Sequence, residues 1–141
     1  MSNISQDKGE TMDHLSKEVI ITNKAPKAIG PYSAGIRIGN MVYTAGQLGI
    51  IPDTGEIISG GIEAETRQAL QNIGAILVAA GTSLSNVVKT TVYLRNITDF
   101  TWMNNIYAEF FNTPYPARST IQVAALPKGG AVEIDAVAII P

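Results

Sequence analysis

The C-terminal stretch from Val132 to Ile140 constrains the fold more than any other part of the chain. Val132, Ile134, Ala136, Ala138 and Ile140 alternate with Glu133, Asp135, Val137 and Ile139. Successive side chains of a strand point to opposite faces, so this pattern predicts a strand with one wholly apolar face. The other face sets two carboxylates beside two β-branched residues and is too apolar for open water. A second subunit is therefore expected to cover part of it, with the carboxylates near that interface.

The rest of the chain supplies what covers the first face. "EVIIT" from Glu18 reads as a short strand, and the alternating arms around Gly39-Asn40 read as a β-hairpin. Pro52 to Glu56 supplies the next turn. Ile62, Ala69, Leu70, Ile73, Ile76, Leu77 and Ala80 recur at helical spacing, predicting a helix over 62–80 capped by Gly81. Val87 to Leu94 alternates as a strand. A second helix is expected from a capping pair at Thr98-Asp99 to Phe111, burying Phe100, Met103, Tyr107, Phe110 and Phe111. Strands over 119–123 and 132–140 end the chain. This order predicts an α+β fold, a sheet with both helices packed on one face.

At 141 residues one core is expected, in a single domain over 18–141. The polar segment 1–17 lacks periodicity and is expected to be a disordered tail. The chain has no cysteine, and its one histidine, His14, falls in that tail. Disulfides, thiolate metal sites, Ser-His-Asp triads and histidine-based zinc sites are disfavoured accordingly. Ten basic residues face twelve acidic ones, for a formal charge of −2, and the cations are scattered. No electrostatic footprint for nucleic acid or an anionic membrane follows from this. No stretch reaches the length of a membrane span or resembles a secretory signal, so the cytoplasm is the expected location.

Arg118 stands out in "YPARST". Two prolines, Pro114 and Pro116, stiffen the approach to it, because proline fixes its own φ and restricts the residue before it. On pattern alone such an arginine is solvated or salt-bridged, and Glu133 is an exposed residue of an amphipathic strand. Gly30 and Gly46 serve tight backbone geometry or close ligand approach equally well.

Six blocks in order, "APKAIGPYSAG", "GNMVYTAGQ", "NVVKTTVYL", "YPARST", "AALPK" and "VEIDAVAI", resemble the RidA/YjgF family of enamine and imine deaminases over residues 20–140. The resemblance implies a chorismate-mutase-like mixed sheet with two helices on one face, assembled as a barrel-like homotrimer with ligand clefts between subunits. It implies a 2-iminobutanoate/2-iminopropanoate-type activity, hydrolysing 2-aminoacrylate and related imino acids to 2-keto acids and ammonia without cofactor or metal. By the same resemblance Arg118 grips the substrate carboxylate, Glu133 activates water and returns the proton, and Tyr32 lines the cleft. Gly46 and Thr120 face the ligand, and Asn104 is a shared helix residue. Ala45 and Thr120 stand where many members have serine and cysteine, and Asp135 where many have glutamate. Two alternatives stand beside the deaminase: a non-catalytic trimer binding small carboxylates, and an RNA-directed endoribonuclease or translation inhibitor.

Overall fold

A computed structural model describes residues 16–141. His14 and most of the expected tail lie outside them. Among the described residues seven strands form one mixed sheet: β1 (Glu18–Ile20), β2 (Gly35–Ile38), β3 (Met41–Thr44), β4 (Gln47–Leu48), β5 (Val87–Leu94), β6 (Ala117–Gln122) and β7 (Val132–Ile139). Among the described residues the α-helices are α1 (Gly61–Ala79) and α2 (Phe100–Phe110). The strand order is β1-β2-β3-β7-β5-β6, with β4 also pairing β7. All pairs are antiparallel except β5 and β6. The α+β architecture expected from the sequence is the one observed.

The apolar side of β7 is the floor of the core. Val132, Ile134, Ala136 and Ala138 are buried together with Val92 and Leu94 of β5, against Ala69, Leu70, Ile73, Ile76 and Leu77 of α1 and Met103 and Tyr107 of α2. Helix α1 ends as its composition demands. Gly81, at φ 93°, lets its N–H reach Val78 O while Thr82 N–H reaches Leu77 O, satisfying carbonyls that the last turn leaves open. The β2–β3 hairpin turns through Gly39 at φ 57°, a conformation that costs a glycine little.

Two buried polar side chains of α1 fix loops around β7. Asn72 donates from Nδ2 to Leu48 O at 3.2 Å and Ile50 O at 2.9 Å, pinning β4 and the residues after it. Glu65 Oε1 accepts the Ala131 N–H at 2.8 Å, fixing the entry to β7. Unpaired, each of these groups would cost a desolvation penalty of about 1–3 kcal/mol. Both sit where the helical stripe was read as purely apolar.

Several expectations are corrected. Phe100 is 37% exposed, and its ring faces Arg118 instead of the core, while Ile106, absent from the expected stripe, is buried. Phe110 is half-buried. Thr98 and Asp99 do not cap α2 through a side chain; Ile97–Asp99 forms a 3-10 turn, and the Ile97 N–H is taken by Gln122 Oε1 at 2.8 Å. Strand β6 begins at Ala117, so Arg118 lies within the strand. The opposite sheet face has no described element packed over it as the helices pack over the first. Tyr43 and Ile121 are each 46% exposed on it, and Val137 and Ile139 are half-buried. No helix among the described residues is long and apolar enough to cross a membrane.

Candidate active site

Arg118 takes its direction from strand register. It pairs with Thr90 of β5, which in turn pairs with the buried Ala136 of β7, so its side chain leaves the sheet on the helix side. There Nη1 donates to Asn104 Oδ1 at 2.7 Å, and Cζ lies 4.7 Å from the Tyr107 ring centroid and 5.5 Å from that of Phe100. One edge of the guanidinium is fixed by an amide and its face by two aromatic rings, each a favourable cation–π neighbour. Tyr107 is fixed in turn, its hydroxyl 2.8 Å from Thr90 Oγ1. Burial pushes the Tyr107 phenol up, against the opposing pull of Thr90 and the Arg118 charge. Among the described residues Arg118 has no carboxylate partner; the ion pair found there joins Arg67 and Glu109. The solvated or salt-bridged reading of this arginine therefore gives way to one in which it is held by neutral groups.

Around the guanidinium, Asn104, Tyr107, Ala108, Tyr115, Pro116 and Arg118 line a cleft of ≈ 450 Å³. Thr120, two residues along the same face of β6, buries its hydroxyl oxygen without a hydrogen-bond partner. A fork of donors, an apolar wall and an unpaired hydroxyl together suit a small carboxylate with an adjoining apolar part.

Glu133 belongs to the other side of the sheet. It pairs with Tyr93 of β5 and Leu48 of β4, and it alternates with the buried residues of β7. Between β3 and β4 the ladder to β7 is interrupted: the Ala136 N–H goes to Thr44 Oγ1 at 3.0 Å, and Ala45-Gly46 step out of register. The Glu133 carboxylate fills the space this leaves. A Cβ at position 46 would lie 2.7 Å from Glu133 Oε2, so the glycine is required for that approach. Its φ is not among the positive values, which removes backbone conformation as the reason. Burial, and secondarily the charge of Asp135, raises the Glu133 carboxyl above its usual range, toward the pH at which an acid–base group works.

Within one chain the structure therefore joins Arg118 to Asn104, near Thr120, and Glu133 to Gly46, but it separates these two groups by the thickness of the sheet. Tyr32 stands in the β1–β2 connector, 55% exposed, its hydroxyl accepting a long hydrogen bond of 3.4 Å from Ile29 N–H, and it is not among the cleft-lining residues. Tyr107, Phe100 and Tyr115 were not read as site residues. The signal was the aromatic content of α2 and of the stiff segment before Arg118.

The family described as Endoribonuclease L-PSP matches residues 22–140. A human protein named 2-iminobutanoate/2-iminopropanoate deaminase is 52% identical over 91% of this chain and 93% of its own length. Among solved structures, RidA from an Antarctic Psychrobacter superposes with a TM-score of 0.84 at 47% identity, covering 87% of this chain and 99% of that one. Escherichia coli TdcF with bound serine superposes with a TM-score of 0.82 at 42% identity, covering 86% and 98%. With this sequence identity running through nearly the whole described body and the same fold beneath it, the chain belongs to the Endoribonuclease L-PSP family, the family of RidA and YjgF.

Proposed function

We propose that this protein hydrolyses 2-imino acids to 2-keto acids and ammonia, as its human relative's name states for that protein. The observation that carries the reading is Arg118: a guanidinium oriented by Asn104, Tyr107 and Phe100, with donors left for a ligand carboxylate. That TdcF was solved with serine bound agrees with a site for a small amino-acid-like ligand. In the reaction Arg118 holds the carboxylate and polarises the adjacent C2=N bond. Glu133 takes a proton from water as its oxygen attacks C2 and passes it to nitrogen, giving a carbinolamine. It then takes the remaining hydroxyl proton and passes it to nitrogen as the C=O bond forms, the C–N bond breaks and ammonia leaves. Water and imine give keto acid and ammonia, and the carboxyl ends as it began.

Because Arg118 and Glu133 leave opposite faces of the sheet, one site needs two copies of the chain, with Arg118, Asn104 and Thr120 from one and Glu133 and Gly46 from its neighbour. Tyr32 is assigned to the cleft wall so formed. A closed homotrimer supplies three such sites and covers the apolar face around Val137, Ile139 and Tyr43. We place the protein in the cytoplasm and read residues 1–17 as a tail outside the catalytic body. The family description names an endoribonuclease, but an RNA backbone is held by several cations, and the Arg118 cleft contains one.

The test generates imino acids in situ with an amino acid oxidase and follows keto acid release with and without the protein. Acceleration that is lost in Glu133→Gln is expected. Carboxylate binding without acceleration for any side chain would leave a binding protein in place of the enzyme.

A further inference from the structure

Glu133 has an anionic neighbour that is itself anchored. Asp135 follows two residues later on the same face of β7, about 6.6 Å away along the strand at the usual rise. Tyr93, directly opposite Glu133, reaches diagonally across the ladder so that its hydroxyl donates to Asp135 Oδ2 at 3.1 Å. The hydrogen bond fixes the Asp135 carboxylate and leaves Tyr93 as a wall beside Glu133. Within its own chain the other groups around Glu133 are Leu48 from β4 and the backbone of Gly46 between β3 and β4, while in the proposed assembly Arg118 of the neighbouring copy is the facing cation and opposes the effect of Asp135. On β5 the nearest cation of this face, Lys89, is two rows away opposite Val137 and donates to Ser119 Oγ at 3.0 Å. Tyr43 of β3 also lies in the Val137 row.

We propose that Asp135, anchored by the Tyr93 hydroxyl, is a positioning residue that sets how firmly Glu133 holds the proton it takes from water. The inference rests on Glu133 being the proton carrier. A fixed negative charge on the same face favours the protonated carboxyl, strengthening Glu133 as a base during attack and holding the proton until nitrogen takes it. Burial is the larger cause of the raised Glu133 carboxyl and Asp135 the smaller, so removing Asp135 moves Glu133 partway back. The Tyr93 phenol is itself pushed up by its burial and by Asp135, which keeps it neutral and donating.

The test has one arm without turnover and one with it. The carboxyl carbon of Glu133 is titrated by ¹³C NMR in the intact assembly of the parent, Asp135→Asn, Asp135→Glu and Tyr93→Phe. The midpoint is expected to fall in Asp135→Asn, to fall less in Tyr93→Phe, which keeps the charge but frees it, and to be restored in Asp135→Glu. In the pH profile of kcat/KM the acid limb of Asp135→Asn should shift to lower pH, while kcat at neutral pH drops by less than the ~10²-fold expected for loss of Glu133 itself. A residue that only supported the fold would lower the profile without moving the limb. An unchanged Glu133 midpoint in both Asp135→Asn and Tyr93→Phe overturns the proposal. Full activity in Glu133→Gln would instead overturn Glu133 as proton carrier, and the titration arm tells the two failures apart.

Discussion

Replacing Gly46 by alanine tests the placement of Glu133 without touching a charged group. The added Cβ would lie 2.7 Å from Glu133 Oε2 and 2.8 Å from Cδ, whereas ordinary contact begins near 3.4 Å. The carboxylate must retreat by about 0.7 Å, the difference between those distances. The obstructing atoms are the end of a side chain and the backbone angle is ordinary, so the fold should absorb the change. Chemistry should not: a misplacement of ~1 Å at a reacting group costs ~10²-fold, equivalent to roughly 2.7 kcal/mol of barrier. The assay is keto acid release at saturating imino acid, with thermal unfolding and sedimentation as controls. A drop in kcat on the order of 10² with unchanged assembly is expected. Parent-level kcat in Gly46→Ala would show that Glu133 does not act from the position it holds over residue 46.

Other expected outcomes follow from the same geometry. Arg118→Lys keeps the charge and loses the fork, so calorimetric affinity for a 2-keto acid should fall by roughly 10-fold, and further in Arg118→Ala. Tyr107→Phe leaves Thr90 Oγ1 buried without its partner and should cost about 1–3 kcal/mol in denaturant unfolding, with an unchanged Tm contradicting the assignment. Val137→Lys places a charge on the apolar open face and should convert the proposed trimer to smaller species in sedimentation. Burial raises the Glu133 carboxyl, so its contribution to stability is complete below the ordinary value of 4.5 and is lost as pH rises through the folded value. Glu133→Gln should therefore melt at or above the parent temperature at neutral pH, a lead that narrows on acidification.

The alternation of β7 and the three-and-four spacing of α1 were legible because each element buries one continuous face, and periodicity records that face directly. Strand β4 was not, since Gln47 and Leu48 are too few residues to show a period and are held from outside by Asn72 of α1. Phe100 misled because an aromatic at a helix start has the composition of a core residue, while the guanidinium of Arg118 gives it another place to rest. Arg118 was legible as a candidate from its stiff approach and the family blocks, and Glu133 as another from its strand and the same blocks. Their separation across the sheet was not, because it depends on the register of β6 against β5 and of β5 against β7, and long-range register leaves no mark on a single strand's sequence. Nor does any local pattern say that Gly46 is small to admit Glu133, since the two residues are adjacent only once β3, β4 and β7 have paired.

A site shared between copies can be measured by complementation. Arg118→Ala and Glu133→Gln chains, each inactive alone, are unfolded together in equal amounts and refolded, and the mixture is assayed for keto acid release from an imino acid. In randomly assembled trimers, roughly one site in four combines an intact Arg118 from one chain with an intact Glu133 from its neighbour, so about a quarter of the parent rate should return. A refolded mixture that is trimeric yet no faster than the two variants assayed separately would contradict an imine deaminase built across two subunits.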